Sequence, residues 1–90
     1  MSQDAETQDA YAKALAVRHA YETNLLSYPN VVGVGVGLRQ VGGKQTDNVA
    51  LVVLVNKKIP AELLKPKDVL PREIEDVPVD VQEVGSLKAY

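Results

Sequence analysis

The chain has 90 residues, of which 46% are hydrophobic, with no cysteine, one histidine and a net charge of −2. This length allows one small domain, and the composition excludes a disulfide framework, a zinc site built from cysteine and histidine, and a disordered chain. A chain of this length buries only a small hydrophobic core, and it has no disulfide to stabilise that core. Self-association is therefore the remaining way to bury more apolar surface.

The N-terminal third has the periodicity of an amphipathic helix, from about Asp4 to Ser27. Pro29 disfavours helical geometry at the residue before it, so we expect the helix to end between Leu26 and Tyr28. Apolar residues recur every three or four positions, which aligns them on one face: Ala10, Ala14, Val17, Tyr21, Leu25 and Tyr28.

Three further apolar residues lie beside this stripe, namely Tyr11, Leu15 and Leu26. They widen the apolar surface, so the helix can contact two surfaces, and we take them as candidate interaction residues. Within a single domain covering 1–90, we expect residues 1–8 to be flexible, residues 9–28 to form the helix and residues 31–85 to form a sheet module.

Valine alternates with glycine after Asn30, which predicts a strand with one bare face. Gly33, Gly35 and Gly37 share that face, and glycine inside a strand usually marks the close approach of another backbone or element. We expect the alanine-rich helix or a neighbouring subunit to cover them. If so, Gly35→Val should cost about 1–3 kcal/mol through overpacking.

The remaining elements follow from turn residues and alternation. Gly42 and Gly43 predict a tight turn into residues 49–55, which are apolar on both faces and therefore typical of a central strand. A helix of one or two turns is expected at residues 60–65, ended by Pro66, and one short strand within residues 72–76.

Residues 77–81 alternate again, and Pro78 indicates either an edge position or the start of a strand. Together these elements predict an α+β fold: one long N-terminal helix packed on a three- to four-stranded, mainly antiparallel sheet.

No motif for catalysis or cofactor binding is complete. Leu38 stands where a dinucleotide fingerprint needs its third glycine, and Gln45 stands where a phosphate loop needs a hydroxyl. His19 is the sole imidazole, and no serine lies in a nucleophile elbow. We therefore expect neither an enzyme nor a bound cofactor or metal.

Charge is segregated along the chain. Residues 39–67 hold six Lys and Arg against two acidic residues, and residues 68–87 hold six acidic residues against Arg72. These segments are either solvated faces or complementary patches on neighbouring copies, and patches would weaken with salt. Candidate contacts are Lys57 and Lys58 in the first segment and Glu73 and Asp76 in the second.

Nucleic acid and membrane partners are not expected. The net charge is slightly negative and the chain has no Trp or Phe, which argues against nucleic-acid binding. The longest apolar run, residues 49–55, is far too short to span a bilayer, and the acidic N-terminus is unlike a secretory signal. We expect a location in the cytoplasm or within a virion.

The chain also resembles the N-terminal module that precedes some trypsin-like peptidase domains, over about residues 29–85. The resemblance implies a compact sheet module that sits against another protein surface, and it implies no protease activity because the catalytic residues have no positions here. It rests on these stretches: Asn30-Val31-Val32-Gly33-Val34-Gly35-Val36-Gly37, Gly42-Gly43-Lys44-x-Thr46-Asp47, Val55-Asn56-Lys57-Lys58 and Leu70-Pro71-x-x-Ile74-x-x-Val77-Pro78-Val79-Asp80-Val81-x-Glu83-Val84-Gly85.

Two functional hypotheses follow. The first is a non-catalytic structural protein that self-associates or docks on a larger protein assembly, for instance an accessory protein of a phage capsid. The second is a regulatory or chaperone-like module that acts on a trypsin-like peptidase.

Overall fold

The computed structural model describes residues 3–84. These residues form one long helix, α1 (Gln3–Leu26), and four strands, β1 (Val31–Val41), β2 (Lys44–Val55), β3 (Glu73–Ile74) and β4 (Val77–Glu83). The predicted α+β class, with one N-terminal helix packed on a four-stranded sheet, is confirmed. The helix begins at Gln3, one residue before the start of the helical periodicity at Asp4, and ends before Pro29, as expected.

The sheet is mixed, with strand order β1-β2-β4-β3. β1 and β2 are antiparallel, as are β3 and β4, but β2 and β4 run parallel. The predicted edge position for residues 77–81 is wrong, because β4 lies between β2 and β3. Pro78 fits the alternative of a strand start: pairing with β2 begins only at Val79, so the missing N–H of Pro78 costs no bond to β2.

The predicted turn at Gly42 and Gly43 connects β1 to β2. Both residues have positive φ, 59° and 80°, a conformation that side-chain-bearing residues rarely adopt. Two such residues in succession match the type I′ turn, whose twist suits an antiparallel hairpin.

The core lies between α1 and one face of the sheet. Leu25 on the helix and Leu51 and Val53 on β2 are fully buried, and the alternating apolar residues of β1 and β4 pack around them. The expectation that the helix covers the glycines is therefore wrong. Burial of apolar area drives packing, and the valine face of β1 offers side chains to bury whereas its glycine face offers none.

The connection from β2 to β3 has one helical turn within the predicted residues 60–65 and a second turn that was not predicted. It contains two single-turn 3-10 helices, Ala61–Leu63 and Pro66–Asp68. Pro66 opens the second turn instead of only ending the first, since its fixed φ suits a first helical position. This connection returns the chain to the end of the sheet at which the β2–β4 pair starts, so that β4 can run parallel to β2.

Candidate protein-binding surfaces

The sheet face opposite α1 forms a groove floored by glycine. Within residues 3–84 no helix lies on this face, and the cavity measures about 380 Å³. The end of the β1–β2 hairpin is linked to β4 there, because the Gln40 backbone N–H donates to Asp80 Oδ2 at 3.0 Å. We call this the glycine groove and define it by Gly33, Gly35, Gly37, Gln40, Gln45, Val52, Leu54 and Gln82.

The space above the glycines is open to different degrees. A methyl group added at Gly35 would meet no atom within 4 Å, whereas at Gly33 and Gly37 it would touch Leu54 and Val52 at an ordinary 3.4 Å. A side chain at Gly35 therefore meets no neighbour among residues 3–84, which corrects the predicted cost of Gly35→Val from overpacking against the helix. Within residues 3–84, no element makes the close approach that the open space at Gly35 permits.

A second candidate surface lies on the side of α1 that faces β1. Arg18 fixes this direction, since its Nε donates to the Val34 carbonyl at 3.1 Å and its guanidinium pairs with Glu22 at 2.8 Å. Residues seven and three before Arg18 share its side of the helix, and these are Tyr11 and Leu15. We define the helix flank as Tyr11, Leu15, Arg18, Glu22 and Leu26.

The apolar residues of the helix flank remain exposed in the single chain. Tyr11 is 45%, Leu15 41% and Leu26 45% exposed. The opposite side of α1 faces the other end of the sheet, where Lys13 Nζ lies 3.8 Å from Asp76 Oδ2. The structure thus brings together the three predicted helix candidates on one flank, and that flank borders the edge strand β1.

The predicted basic residues lie just beyond β2. Lys58 donates its backbone N–H to Glu83 Oε1 at 2.7 Å, and the Asn30 side chain donates to the Lys57 carbonyl. Both lysines line a pocket of about 350 Å³ whose walls include Ile59 and other apolar residues. They therefore border an apolar pocket and do not line the glycine groove.

The predicted acidic residues lie at the other end of the β2–β4 pair. Glu73 is exposed on β3, and Asp76 lies in the β3–β4 turn with a positive φ of 69°. Within one chain, the sheet holds these carboxylates away from Lys57 and Lys58. A contact between the basic and acidic segments of neighbouring copies stays a prediction.

Glu75, which precedes Asp76, affects the pKa of a tyrosine, and a titration can test this effect. The Glu75 carboxylate accepts a hydrogen bond from the Tyr21 hydroxyl, and together with its negative charge this raises the pKa of Tyr21 above its ordinary value of 10.0. A raised pKa in the folded state means that this contact stabilises the fold below pH 10 and that the stabilisation is lost as pH rises through the folded pKa. In an ultraviolet titration, we expect Tyr21 to ionise above its ordinary pKa.

Glu75→Gln should return the pKa of Tyr21 toward the ordinary range, while Glu73→Gln, on the neighbouring strand, should leave it unchanged. An unaltered titration in Glu75→Gln would show that the carboxylate does not contact Tyr21.

Several contacts at these surfaces were not predicted from the sequence. The ion pair between Arg18 and Glu22 could have been predicted from the sequence, because opposite charges four residues apart on a helix pair readily. The contacts of Arg18 with Val34 and of Asp80 with Gln40 had no such signal, since each joins residues distant in sequence. His19 is exposed, as expected from its place off the main stripe.

Some further findings concern the described part of the chain. No helix within residues 3–84 combines the length and apolar character that a bilayer span requires. Over the same residues, no three His, Asp or Glu side chains gather closely enough to hold a metal ion.

The fold and surfaces define a class: a small α+β domain in which a long N-terminal helix covers one sheet face and a glycine-floored groove occupies the other. The model of one family, described as the NARROW LEAF 1 N-terminal domain, matches residues 8–83. The chain belongs to this family. A comparison with curated proteins gave no match. The predicted resemblance is thereby confirmed as far as an N-terminal domain family, and the connection with trypsin-like peptidases stays a prediction.

Proposed function

We propose that this domain is a non-catalytic assembly module that binds other proteins, copies of itself included, through the glycine groove. The observation that carries the proposal is the open space at Gly35, where an added methyl group would meet no atom within 4 Å. Three glycines on one face of a strand cost stability, since glycine is poorly suited to strand interiors. A partner that packs closely against the bare backbone recovers that cost.

The surroundings of the groove support a protein partner. Its floor combines bare backbone with the apolar Val52 and Leu54, and its rim carries the amides of Gln40, Gln45 and Gln82. An apolar floor with a polar rim is the usual anatomy of a protein interface. Amide side chains both donate and accept hydrogen bonds, so they can pair with a partner's backbone.

The test is Gly35→Val, measured by sedimentation and by thermal unfolding. In the single chain the new side chain enters free space, so we expect the free energy of unfolding to stay the same or to rise by about 0.5–1 kcal/mol as the cost of glycine is removed. The same side chain fills the groove, so we expect assemblies that form through it to be lost. The variant thereby separates binding from folding.

Ala16→Val serves as the matched control, because Ala16 is exposed on α1 away from the groove. It should leave both the assembly and its concentration dependence unchanged. A wild-type protein that stays monomeric at every concentration and salt strength would contradict self-association. Assembly of Gly35→Val to the same size as the wild type, at the same concentrations, would contradict the groove as a binding surface.

For the biological setting we propose a larger protein lattice, such as a phage shell, on which the module docks as an accessory component. The family description supports a module that works beside other protein, because it names an N-terminal domain and hence part of a longer chain. The neighbouring genes distinguish this setting from regulation of a trypsin-like peptidase. Structural genes beside it would favour the lattice, and a peptidase gene would favour regulation.

A further inference from the structure

We propose that the free edge of β1 pairs antiparallel with β1 of a second copy, so that two sheets join into one and the two helix flanks pack side by side. This interface is separate from the glycine groove, and it names a second copy as the partner within the self-association proposed above. Four observations support it: the chemistry of the edge strand, the position of the helix flank, the order of side chains on that flank and the charges of those side chains.

The edge strand has little of the usual protection against pairing, apart from the Val34 carbonyl, which accepts a hydrogen bond from Arg18 Nε that a second β1 would replace. β1 is the first strand in the order β1-β2-β4-β3, so one of its sides has no partner strand within residues 3–84. Natural edge strands are commonly shortened, charged, bulged or interrupted by proline. β1 has 11 residues, with no charged residue or proline before Arg39. Its register irregularities lie near its two ends, which leaves residues 33–38 regular.

The helix flank lies beside that edge. Arg18 reaches Val34 of β1, whereas Lys13, on the opposite side of α1, reaches Asp76 in the β3–β4 turn. The exposed apolar residues Tyr11 and Leu15 therefore face outward over the edge of the sheet. When a second β1 pairs at the usual strand spacing of about 4.8 Å, its own helix comes to the same face at roughly the 8–10 Å typical of packed helices.

The positions of the side chains along the helix flank suit a two-fold axis between two copies. In an antiparallel helix pair centred near residue 20, Leu15 faces Leu26 of the second copy and Arg18 faces Glu22 of the second copy. Both apolar and charged residues then meet complementary neighbours, twice each, as an isologous interface requires. Arg18 also contacts Val34 near the middle of β1, so one axis serves both the helix pair and the strand pair.

Cysteine cross-linking tests this arrangement in the full chain, which has no native cysteine. Two single variants are prepared, Leu15→Cys and Leu26→Cys, and oxidised separately and as a mixture. Because of the two-fold axis, each new cysteine lies near the other kind and far from its own equivalent. We expect a covalent dimer in the mixture and none with either variant alone, since disulfides require Cα atoms within about 7 Å.

A mixture that stays monomeric on a non-reducing gel, while circular dichroism shows both variants folded, would overturn the proposal. Equal cross-linking by a single variant would overturn the antiparallel register. Glu22→Arg provides a second measurement, because it places like charges at both Arg18 contacts and should abolish the dimer in sedimentation without a loss of helix content. An unchanged dimer in that variant would overturn the charge pairing.

The same cross-link, repeated with Gly35→Val in both chains, separates the two surfaces. Edge pairing leaves the groove unoccupied, so the covalent dimer should form as before. Loss of the dimer in this background would overturn the edge as an independent interface. Failure of groove-dependent assembly alone would count only against the glycine groove.

Discussion

Leu51→Ala is expected to lower the free energy of unfolding by about 2–5 kcal/mol, the usual cost of truncating a fully buried leucine. Leu51 is 0% exposed at the centre of β2, between α1 and the neighbouring strands. A domain of this size has a total stability of only about 5–15 kcal/mol, so the loss is a large fraction of it. Chemical denaturation at a fixed low protein concentration measures it.

Val52→Ala is the matched control, because Val52 follows directly on the same strand but points into the glycine groove. It is half-buried and keeps one side open, so we expect its loss to be well below that of Leu51. Equal losses for the two variants would show that both faces of β2 are covered in the single chain. That result would contradict the open groove.

Leu25→Ala should cost a similar amount, about 2–5 kcal/mol, because the Leu25 side chain on α1 is fully buried. It fills the space between the last turns of the helix and the valine face of the sheet. The expected loss appears in thermal or chemical unfolding as a lower midpoint with an unchanged cooperativity. It tests directly which side of the helix packs on the sheet.

Leu26→Ala provides the comparison within the same turn. Leu26 is 45% exposed on the helix flank, so at dilutions where the protein is monomeric its truncation should have a small effect. At high concentration the same variant should weaken the edge dimer. If Leu26→Ala destabilises the diluted protein as much as Leu25→Ala does, the assignment of the two helix faces is wrong.

These results would show that the two faces of the sheet have separate roles, one in folding and the other in binding. The valine face and Leu25 stabilise the domain, whereas Gly35 and the groove around it add little to the fold and remain available for binding. Such a separation lets an assembly surface change without loss of folding. It also explains how a thin core tolerates three glycines in one strand.

Much of the local structure follows from the sequence itself. The alternation from Gly33 to Leu38 determines which residues of β1 share a face, and Pro29 determines where the helix ends. The alternation also predicts Val32 on the face of Val34, which is wrong, because a register shift between Val31 and Gly33 leaves Val32 45% exposed. Gly42 and Gly43 indicate the hairpin turn, because glycine adopts positive φ without steric cost, whereas the β3–β4 turn has positive φ at Glu75 and Asp76 without a glycine to indicate it. These features depend on neighbouring residues alone, so a single sequence is sufficient to predict them.

Only the tertiary structure decided which face of β1 the helix covers, that β4 runs parallel to β2, and that Arg18 reaches Val34. Each of these depends on contacts between residues far apart in the chain. The outcome is set by comparing the apolar area buried by alternative packings, and that comparison favoured the valine face over the glycine face. Local pattern identified the bare strand face, but only long-range packing left it open.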